Sequence, residues 1–229
     1  MKPLLSETQD SDSLQTLGRA SLQIIHDLKN QLNGLKLYAT FLHKRLEKGD
    51  RPADELETVN KLIAGLDRSA SDLSTLVQYC RPVEVQKQPG VDLQKIMRGV
   101  VSTLTNGTRA TDALFGPMVI DAEPVALTGA FDPVALAEAF KSITVGAMKL
   151  RHKKKDDGTL TIRLRREVSE RKTAAVIEWK PLNSLDHDPF RSFSGSDEIR
   201  MSLAAKIVEA HGGSAERRKG ILWVSLPLK

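Results

Sequence analysis

The stretch DELETVNKLIAGLDRSASDLSTLV (54–77) decides how the first third of the chain folds. Its apolar residues follow one another in a strict alternation of three and four steps, the heptad pattern of a helix that packs along one seam. The residues of this seam are Leu56, Val59, Ile63, Leu66, Ala70, Leu73 and Val77. The pattern stops at Pro82, because proline and the residue before it disfavour a helix. The stretch therefore predicts one long helix.

A second helical pattern precedes this one and runs from Leu14 to Leu46. Its apolar residues also recur at three- and four-residue steps, as one face of a helix demands. The segment EKGDRP (47–52) interrupts the pattern with residues that end one helix and begin the next. The two helices therefore form a hairpin, which we place at residues 13–82 after a polar N-terminal segment, 1–12.

A single hairpin cannot bury two apolar stripes as well as four helices can. A two-fold arrangement of two hairpins buries both stripes in one core. We therefore expect a homodimer held together by a four-helix bundle.

The periodicity changes after the polar segment VEVQKQPG (83–90), which we take as a linker. Residues 91–229 alternate between helical and strand patterns. Helices are predicted at 91–104, 133–150 and 197–211, and strands at 118–122, 125–131, 159–168, 173–180, 214–219 and 221–228. Helices gathered against such a sheet make an α/β sandwich. The fold class expected for the whole chain is α+β.

Composition limits the classes of function. No apolar run approaches the roughly 20 residues of a membrane helix, and the single cysteine, Cys80, rules out an internal disulfide. We expect a cytoplasmic protein with no membrane partner. The net charge of +5 raises the question of nucleic acid. Much of the positive charge lies in short separate runs at 151–155, 163–166 and 216–219, so nucleic-acid binding is not expected.

One histidine of the first helix is placed for chemistry. At 100° per residue, His26 points roughly 160° away from both Ile24 and Leu28. If those two residues face the core, the imidazole faces solvent. It is then either a reactive nucleophile or an ordinary exposed histidine.

The residues around His26 suit phosphoryl transfer. Asp27 could accept the N–H of one ring nitrogen, which fixes the tautomer and makes the other nitrogen more nucleophilic. Lys29 and Asn30 lie one turn further on, on the same side of the helix. Lys29 could neutralise phosphoryl oxygens, and Asn30 could orient a water or the acceptor group.

The segment HDLKNQL (26–32) resembles the H-box of histidine kinases and histidine phosphotransferases. The resemblance implies that His26 accepts phosphate, that Asp27 activates it and that Asn30 supports dephosphorylation. The proline that commonly follows in kinases is replaced by Gln31. The family's dimerisation module is also a helical hairpin with the histidine on its first arm.

The rest of the chain resembles the ATP-binding domain that follows such hairpins. The resemblance is clearest in IVEAHGG (207–213) and LWVSLPL (222–228), and FDPVALAEAFKSITVGAMK (131–149) aligns with the family's N-box helix. Where the family places two asparagines, one of them a Mg²⁺ ligand, this chain has Ser142 and Gly146. Glycine has no side chain with which to hold a metal.

Two further nucleotide motifs are missing. KPLNSLDHD (180–188) stands where the family has its D-x-G-x-G box, and Glu198 and Arg200 occupy glycine positions of the phosphate loop. A carboxylate repels phosphate where small residues would let backbone amides approach it. We therefore expect neither ATP nor Mg²⁺ as a cofactor. No metal is expected elsewhere, because the other histidines lack metal-ligand spacing and are taken as ordinary surface or capping residues. They are His43, His152, His187 and His211.

A docking face is predicted below His26. Asn30, Asn33, Leu37 and Phe41 return to within about 60° of the histidine's direction on the helix, and Gly34 to within about 80°. Gly34 would admit close approach, and the two apolar residues could seat a partner's helix. The resemblance implies that this partner is a response-regulator receiver domain.

The sequence thus predicts a histidine phosphotransferase that moves phosphoryl groups between His26 and receiver aspartates without ATP. One alternative is a sensor histidine kinase with a divergent ATP site. Another is a dimeric adaptor or DNA-binding module in which His26 has no chemical role.

Overall fold

The structure is a computed structural model that describes residues 25, 28–47, 53–106, 116–152, 158–169, 172–182, 187–193 and 195–228. The chain divides into two compact units, Met1–Pro82 and Val83–Lys229. No helix in these described ranges is both long enough and apolar enough to cross a bilayer.

The first unit contains two helices, α1 at residues 28–46 and α2 at Ala53–Cys80. Ala39 of α1 and Val59 of α2 are buried, as the apolar stripes predict. Lys36 Nζ lies 2.6 Å from Asp67 Oδ1, and Leu42 lines one cavity together with Val59. Later residues of α1 thus meet earlier residues of α2, so the two helices run antiparallel.

Part of the apolar surface of this unit stays uncovered. Four leucines of α1 and α2 are between 44% and 54% exposed: Leu28, Leu35, Leu42 and Leu62. Three of them, Leu28, Leu35 and Leu42, are spaced by seven residues, which places them on one side of α1. The hairpin therefore leaves an apolar stripe open along its length.

The second unit is built on two sheets. Its helices are α3 (Leu93–Asn106), α4 (Pro133–His152) and α5 (Ser196–Ala210). Its strands are β1 (Gln88–Asp92), β2 (Met118–Ala122), β3 (Thr128–Phe131), β4 (Leu160–Ser169), β5 (Lys172–Lys180), β6 (Ser214–Arg218) and β7 (Ile221–Leu228). The larger sheet has the strand order β2-β4-β5-β7-β6, with β2 and β4 parallel and the other pairs antiparallel. Strands β1 and β3 form a separate antiparallel pair.

The core lies between the larger sheet and the three helices. Alternate residues of β4, β5 and β7 face it, among them Ile162, Ile177 and Val224, each fully buried. At its centre Trp179 lies 6.3 Å from Phe140, ring centroid to centroid. The unit is an α/β sandwich, so the α+β class predicted from the sequence is confirmed.

Strand β1 was not predicted. It begins at Gln88, inside the segment 83–90 that we expected to be a polar linker. Its Pro89 and Gly90 are turn residues in most contexts, and Gly90 has a φ of +72°, which favours glycine. The pairing with β3 tolerates them because the register shifts between Gln88 and Val91, as in a β-bulge.

Candidate functional site

The structure describes only part of the predicted phosphoacceptor segment. His26 and Asp27 are outside the residues that the structure describes. Lys29 and Asn30 belong to α1, with Lys29 half-buried and Asn30 exposed.

The predicted docking face is open to solvent along α1. Leu37 is 55% exposed and Phe41 57% exposed, and Asn33 is exposed beside them. A Cβ added at Gly34 would meet nothing within 4 Å. The structure therefore gathers these four residues on a surface with two large apolar side chains, not in the core of the hairpin.

The position that the resemblance assigns to a metal ligand, Gly146, lies where α4 packs against α5. Gly146 is buried, and a Cβ at this position would overlap Met201 Sδ and lie 2.9 Å from Met201 Cγ. Met201 is 1% exposed. Ser142, one turn earlier on α4, is half-buried. Met201 thus fills the space beside the position where the family holds its metal ligand.

The N-terminus of α5 is occupied by the chain's own carboxylates. Lys149 Nζ lies 2.7 Å from Asp197 Oδ1, an ion pair that joins α4 to α5. Arg200 Nη1 lies 4.0 Å from the same oxygen. The positive end of a helix dipole favours negative charge, so Asp197 and Glu198 suit this first turn. They also place negative charge where a bound phosphate would need amide donors.

Glu198 of α5 forms hydrogen bonds with the loop at residues 187–193. Its Oε2 accepts a short hydrogen bond from Ser192 Oγ, and its Oε1 lies 2.8 Å from His187 Nε2. Asp188 caps a short 3₁₀ helix, Pro189–Arg191, by accepting from the Phe190 N–H at 3.0 Å. Ser202 Oγ of α5 donates to the Ser192 carbonyl at 2.9 Å. The loop is therefore tied down by side chains of α5, without a ligand.

One of the other histidines caps a helix and is also buried. His211 was expected to be an ordinary surface or capping residue; it is the C-cap of α5, but its side chain is only 2% exposed, so it is not a surface residue. Its ring contacts backbone groups of Asp132 and Ile207. Asp132 is 79 residues away in the chain, and a contact of that range leaves no trace in local sequence patterns.

Sequence reasoning also missed Asp132 and Met201 as residues that shape this domain. For Asp132 a signal was present, because Asp followed by Pro133 is typical of a helix N-cap and first turn. For Met201 there was none, because a buried methionine on a helix is usually ordinary core. Among the described residues, no group of three or more His, Cys, Asp and Glu side chains could hold a metal ion.

Comparison with solved structures identifies the fold. Full-length ShkA in complex with AMPPNP matches 91% of this chain and 45% of its own, with a TM-score of 0.66 and 16% identity. Histidine kinase AdeS of Acinetobacter baumannii matches 83% of this chain and 95% of its own, with a TM-score of 0.55 and 15% identity. Histidine kinase ThkA in complex with response regulator protein TrrA matches 97% and 65%, with a TM-score of 0.61 and 14% identity.

The chain therefore has the histidine-kinase fold, a helical hairpin followed by an ATPase-type domain, as the sequence predicted. It spans about half the length of the ShkA chain, 45%. No family profile matches the sequence, and a comparison with curated proteins finds no relative.

Proposed function

We propose that the chain is a histidine phosphotransferase of a two-component relay, which moves phosphoryl groups between His26 and receiver aspartates without ATP. The observation that carries the proposal is the filled interface between α4 and α5. Met201 packs against Gly146, and Glu198 binds Ser192 and His187. A domain whose nucleotide cleft is packed with its own side chains has no use for ATP as phosphodonor.

Each of these contacts opposes nucleotide binding for a separate reason. Mg²⁺ needs oxygen ligands at a fixed distance, and Gly146 supplies none. Triphosphate needs backbone N–H groups that small residues leave accessible, and Glu198 brings a carboxylate to that place. Adding nucleotide would first require Met201 and the loop at 187–193 to move.

The proposed transfer needs only groups on the first helix and the receiver. A lone pair of one imidazole nitrogen of His26 attacks phosphorus, and the P–O bond to the receiver's aspartate breaks. The aspartate leaves as a carboxylate, and the phosphorylated ring carries a positive charge, which Asp27 would stabilise by accepting a hydrogen bond from the N–H of the other nitrogen. The reverse reaction passes the phosphoryl group to a second receiver.

A receiver domain is the partner that the exposed face of α1 favours. Leu37 and Phe41 give this face an apolar centre, and Asn33 and Gly34 leave room beside it. Interface anchors are commonly large apolar side chains surrounded by polar ones. ThkA, which shares the fold, was solved with its response regulator.

A second copy of the chain is proposed to pack against the other apolar stripe of the hairpin. Leu28, Leu35 and Leu42 lie on a different side of α1 from Leu37 and remain half-exposed. An open cavity of about 340 Å³ also lies next to Leu42. Dimerisation through this stripe would bury it and leave the receiver face free. The cytoplasmic location expected from the sequence stays a prediction.

A sensor histidine kinase is the second candidate, because ShkA with AMPPNP bound shares the fold across 91% of this chain. One experiment separates the two. The chain and its His26→Gln variant are incubated with receivers carrying labelled phosphate and, separately, with labelled ATP. His43→Gln is the matched control, since His43 is another histidine of the same helix.

We expect label to pass from receivers to the parent chain and to His43→Gln, but not to His26→Gln. ATP should label none of the three. Label from ATP on His26 would establish the kinase instead. Unchanged acceptance by His26→Gln would refute both enzymes and leave the adaptor or DNA-binding alternative.

Nucleotide binding itself is tested by calorimetry. We expect no binding heat with MgATP up to millimolar concentration, because metal and phosphate contacts are both replaced. A dissociation constant well below that range, dependent on Mg²⁺, would contradict the proposed loss of the ATP site.

A further inference from the structure

Asp132 joins three segments of the second unit. Its Oδ1 accepts from the N–H groups of Val134 and Ala135, at 3.1 and 3.0 Å, and so caps α4. Its Oδ2 accepts from the N–H of Gln86 at 2.9 Å. Gln86 lies in residues 83–87, which precede β1. The Asp132 carboxylate thus links the start of α4 to residues 83–87.

The ring of His211 accepts a hydrogen bond from the backbone of Asp132. The N–H of Asp132 points at His211 Nε2 at 3.0 Å, so Nε2 must be the acceptor. Nδ1 lies 2.8 Å from the Ile207 carbonyl, so Nδ1 must carry the proton. This pair of partners is compatible only with the neutral ring in one tautomer. The ring is 2% exposed, so water cannot replace either partner.

We propose that His211 and Asp132 form a pH-sensitive latch that holds residues 83–87 against the ATPase-type domain when His211 is neutral and releases them when it is protonated. A proton on Nε2 would face the Asp132 N–H, and the amide would lose its acceptor. The imidazolium would also attract the Asp132 carboxylate, in competition with the Gln86 N–H. Both changes weaken the bond to Gln86.

Two charged side chains act on the ring of His211, from different segments. Asp132, before α4, favours its protonation, and Lys87, before β1, opposes it. Phe131 of β3 packs its ring 6.1 Å from the imidazole and carries no charge. Burial of the ring, which has the largest effect, and the positive charge of Lys87 lower the pKa of His211 below its ordinary 6.5. The hydrogen bond to the Ile207 carbonyl and the charge of Asp132 oppose this shift.

The direction of the pH effect follows from this lowered pKa. Above pH 6.5 the ring is neutral whether the latch is closed or open, so the latch has its full strength. Below 6.5 an open latch takes up the proton more readily than a closed one. Closing therefore weakens by up to about tenfold per pH unit, until the pKa of the closed form is reached.

The test is amide hydrogen exchange of the full chain, followed by NMR as the protection factor of the Gln86 N–H between pH 8 and pH 5. The parent should lose protection at Gln86 below pH 6.5, by up to about tenfold per unit. His43→Gln, which removes a histidine of the other unit, should show the same loss. Protection independent of pH in the parent would overturn the proposal.

Two variants locate the effect. His211→Gln keeps an acceptor near the Nε2 position but cannot titrate, so protection at Gln86 should no longer depend on pH. Asp132→Asn lacks the negative charge that binds the N–H groups of Gln86 and of the first turn of α4. The protection factor of the Gln86 N–H should therefore fall by at least about tenfold at every pH. Unchanged protection in Asp132→Asn would overturn the latch.

Ring-nitrogen NMR of the parent keeps the test independent of whether these variants fold. Above pH 6.5 the His211 ring should show an unprotonated Nε2 and a protonated Nδ1. The opposite tautomer, or a ring that titrates while protection at Gln86 stays constant, would refute the mechanism. None of these measurements involves phosphate, so their failure is distinct from failure of the proposed phosphotransfer.

Discussion

Replacing Gly146 by alanine tests how tightly Met201 packs at the position where the resembling family has a metal ligand. The new Cβ would lie 2.9 Å from Met201 Cγ, whereas carbon atoms in contact are about 3.5–4.0 Å apart. The methionine must therefore move by roughly 0.6–1.1 Å. It is only 1% exposed, so it cannot turn out into solvent without rearrangement of its neighbours. Such overpacking typically costs about 1–3 kcal/mol.

Alanine also favours a helix over glycine by about 0.8–1.0 kcal/mol, which must be separated from the overlap. Gly99→Ala provides the control, because Gly99 lies in α3 of the same unit and a Cβ there meets nothing within 4 Å. Gly99→Ala should raise the free energy of unfolding by up to about 1 kcal/mol. Gly146→Ala should be less stable than Gly99→Ala by about 1–3 kcal/mol.

Urea unfolding followed by tryptophan fluorescence measures this difference at one fixed protein concentration. Both tryptophans, Trp179 and Trp223, belong to the unit Val83–Lys229, so the signal reports on the ATPase-type domain. Equal stability of the two variants would refute the tight packing of Met201 against Gly146. Gly146→Asn, which introduces the residue type of the resembling family, should be at least as destabilised and should not gain MgATP binding.

Three further variants test the hairpin and the core. Ile63→Glu places a charge in the α2 seam, so light scattering should find monomer or aggregate; an unchanged dimer mass would count against the four-helix bundle. Leu37→Glu should weaken receiver binding by about 1–3 kcal/mol, while acceptance from a small phosphodonor stays intact. Receiver binding equal to the parent's would place the docking face elsewhere. Thr144→Val removes the acceptor of the Trp179 indole N–H, 2.9 Å away, and should lower the free energy of unfolding by about 1–3 kcal/mol; no loss would show that the buried N–H finds another partner.

The sequence predicted most of the fold because most elements carry a strong periodic pattern. The seam of α2 follows the heptad rule, and the alternation in β4 and β7 separates core from surface. Strand β1 was not predicted, because its five residues include Pro89 and Gly90 and show no strand pattern of their own. Its pairing with β3 is a tertiary contact, which no local rule detects.

The candidate site was predictable where it depends on which residue types are present, and not where it depends on what they contact. The missing metal ligand at Gly146 and the carboxylate at Glu198 can be noticed in the sequence alone. Only the structure shows that Met201 packs against Gly146. Likewise, only the structure shows that Ser192 and His187 contact Glu198. The buried position of His211 was missed for the same reason, since its partner Asp132 is distant in the chain.

Under the proposed loss of the ATP site, these contacts also explain how the domain would keep its fold without nucleotide. In a nucleotide-binding domain, bound ligand stabilises the native state through mass action. Here the ion pair of Lys149 with Asp197 and the packing of Met201 on Gly146 join α4 to α5 directly. Half-exposed ion pairs contribute little, so the buried apolar contact is the larger of the two. An interface held by core packing cannot also open for nucleotide without losing that packing, so the stability of this domain and its capacity to bind ATP oppose each other.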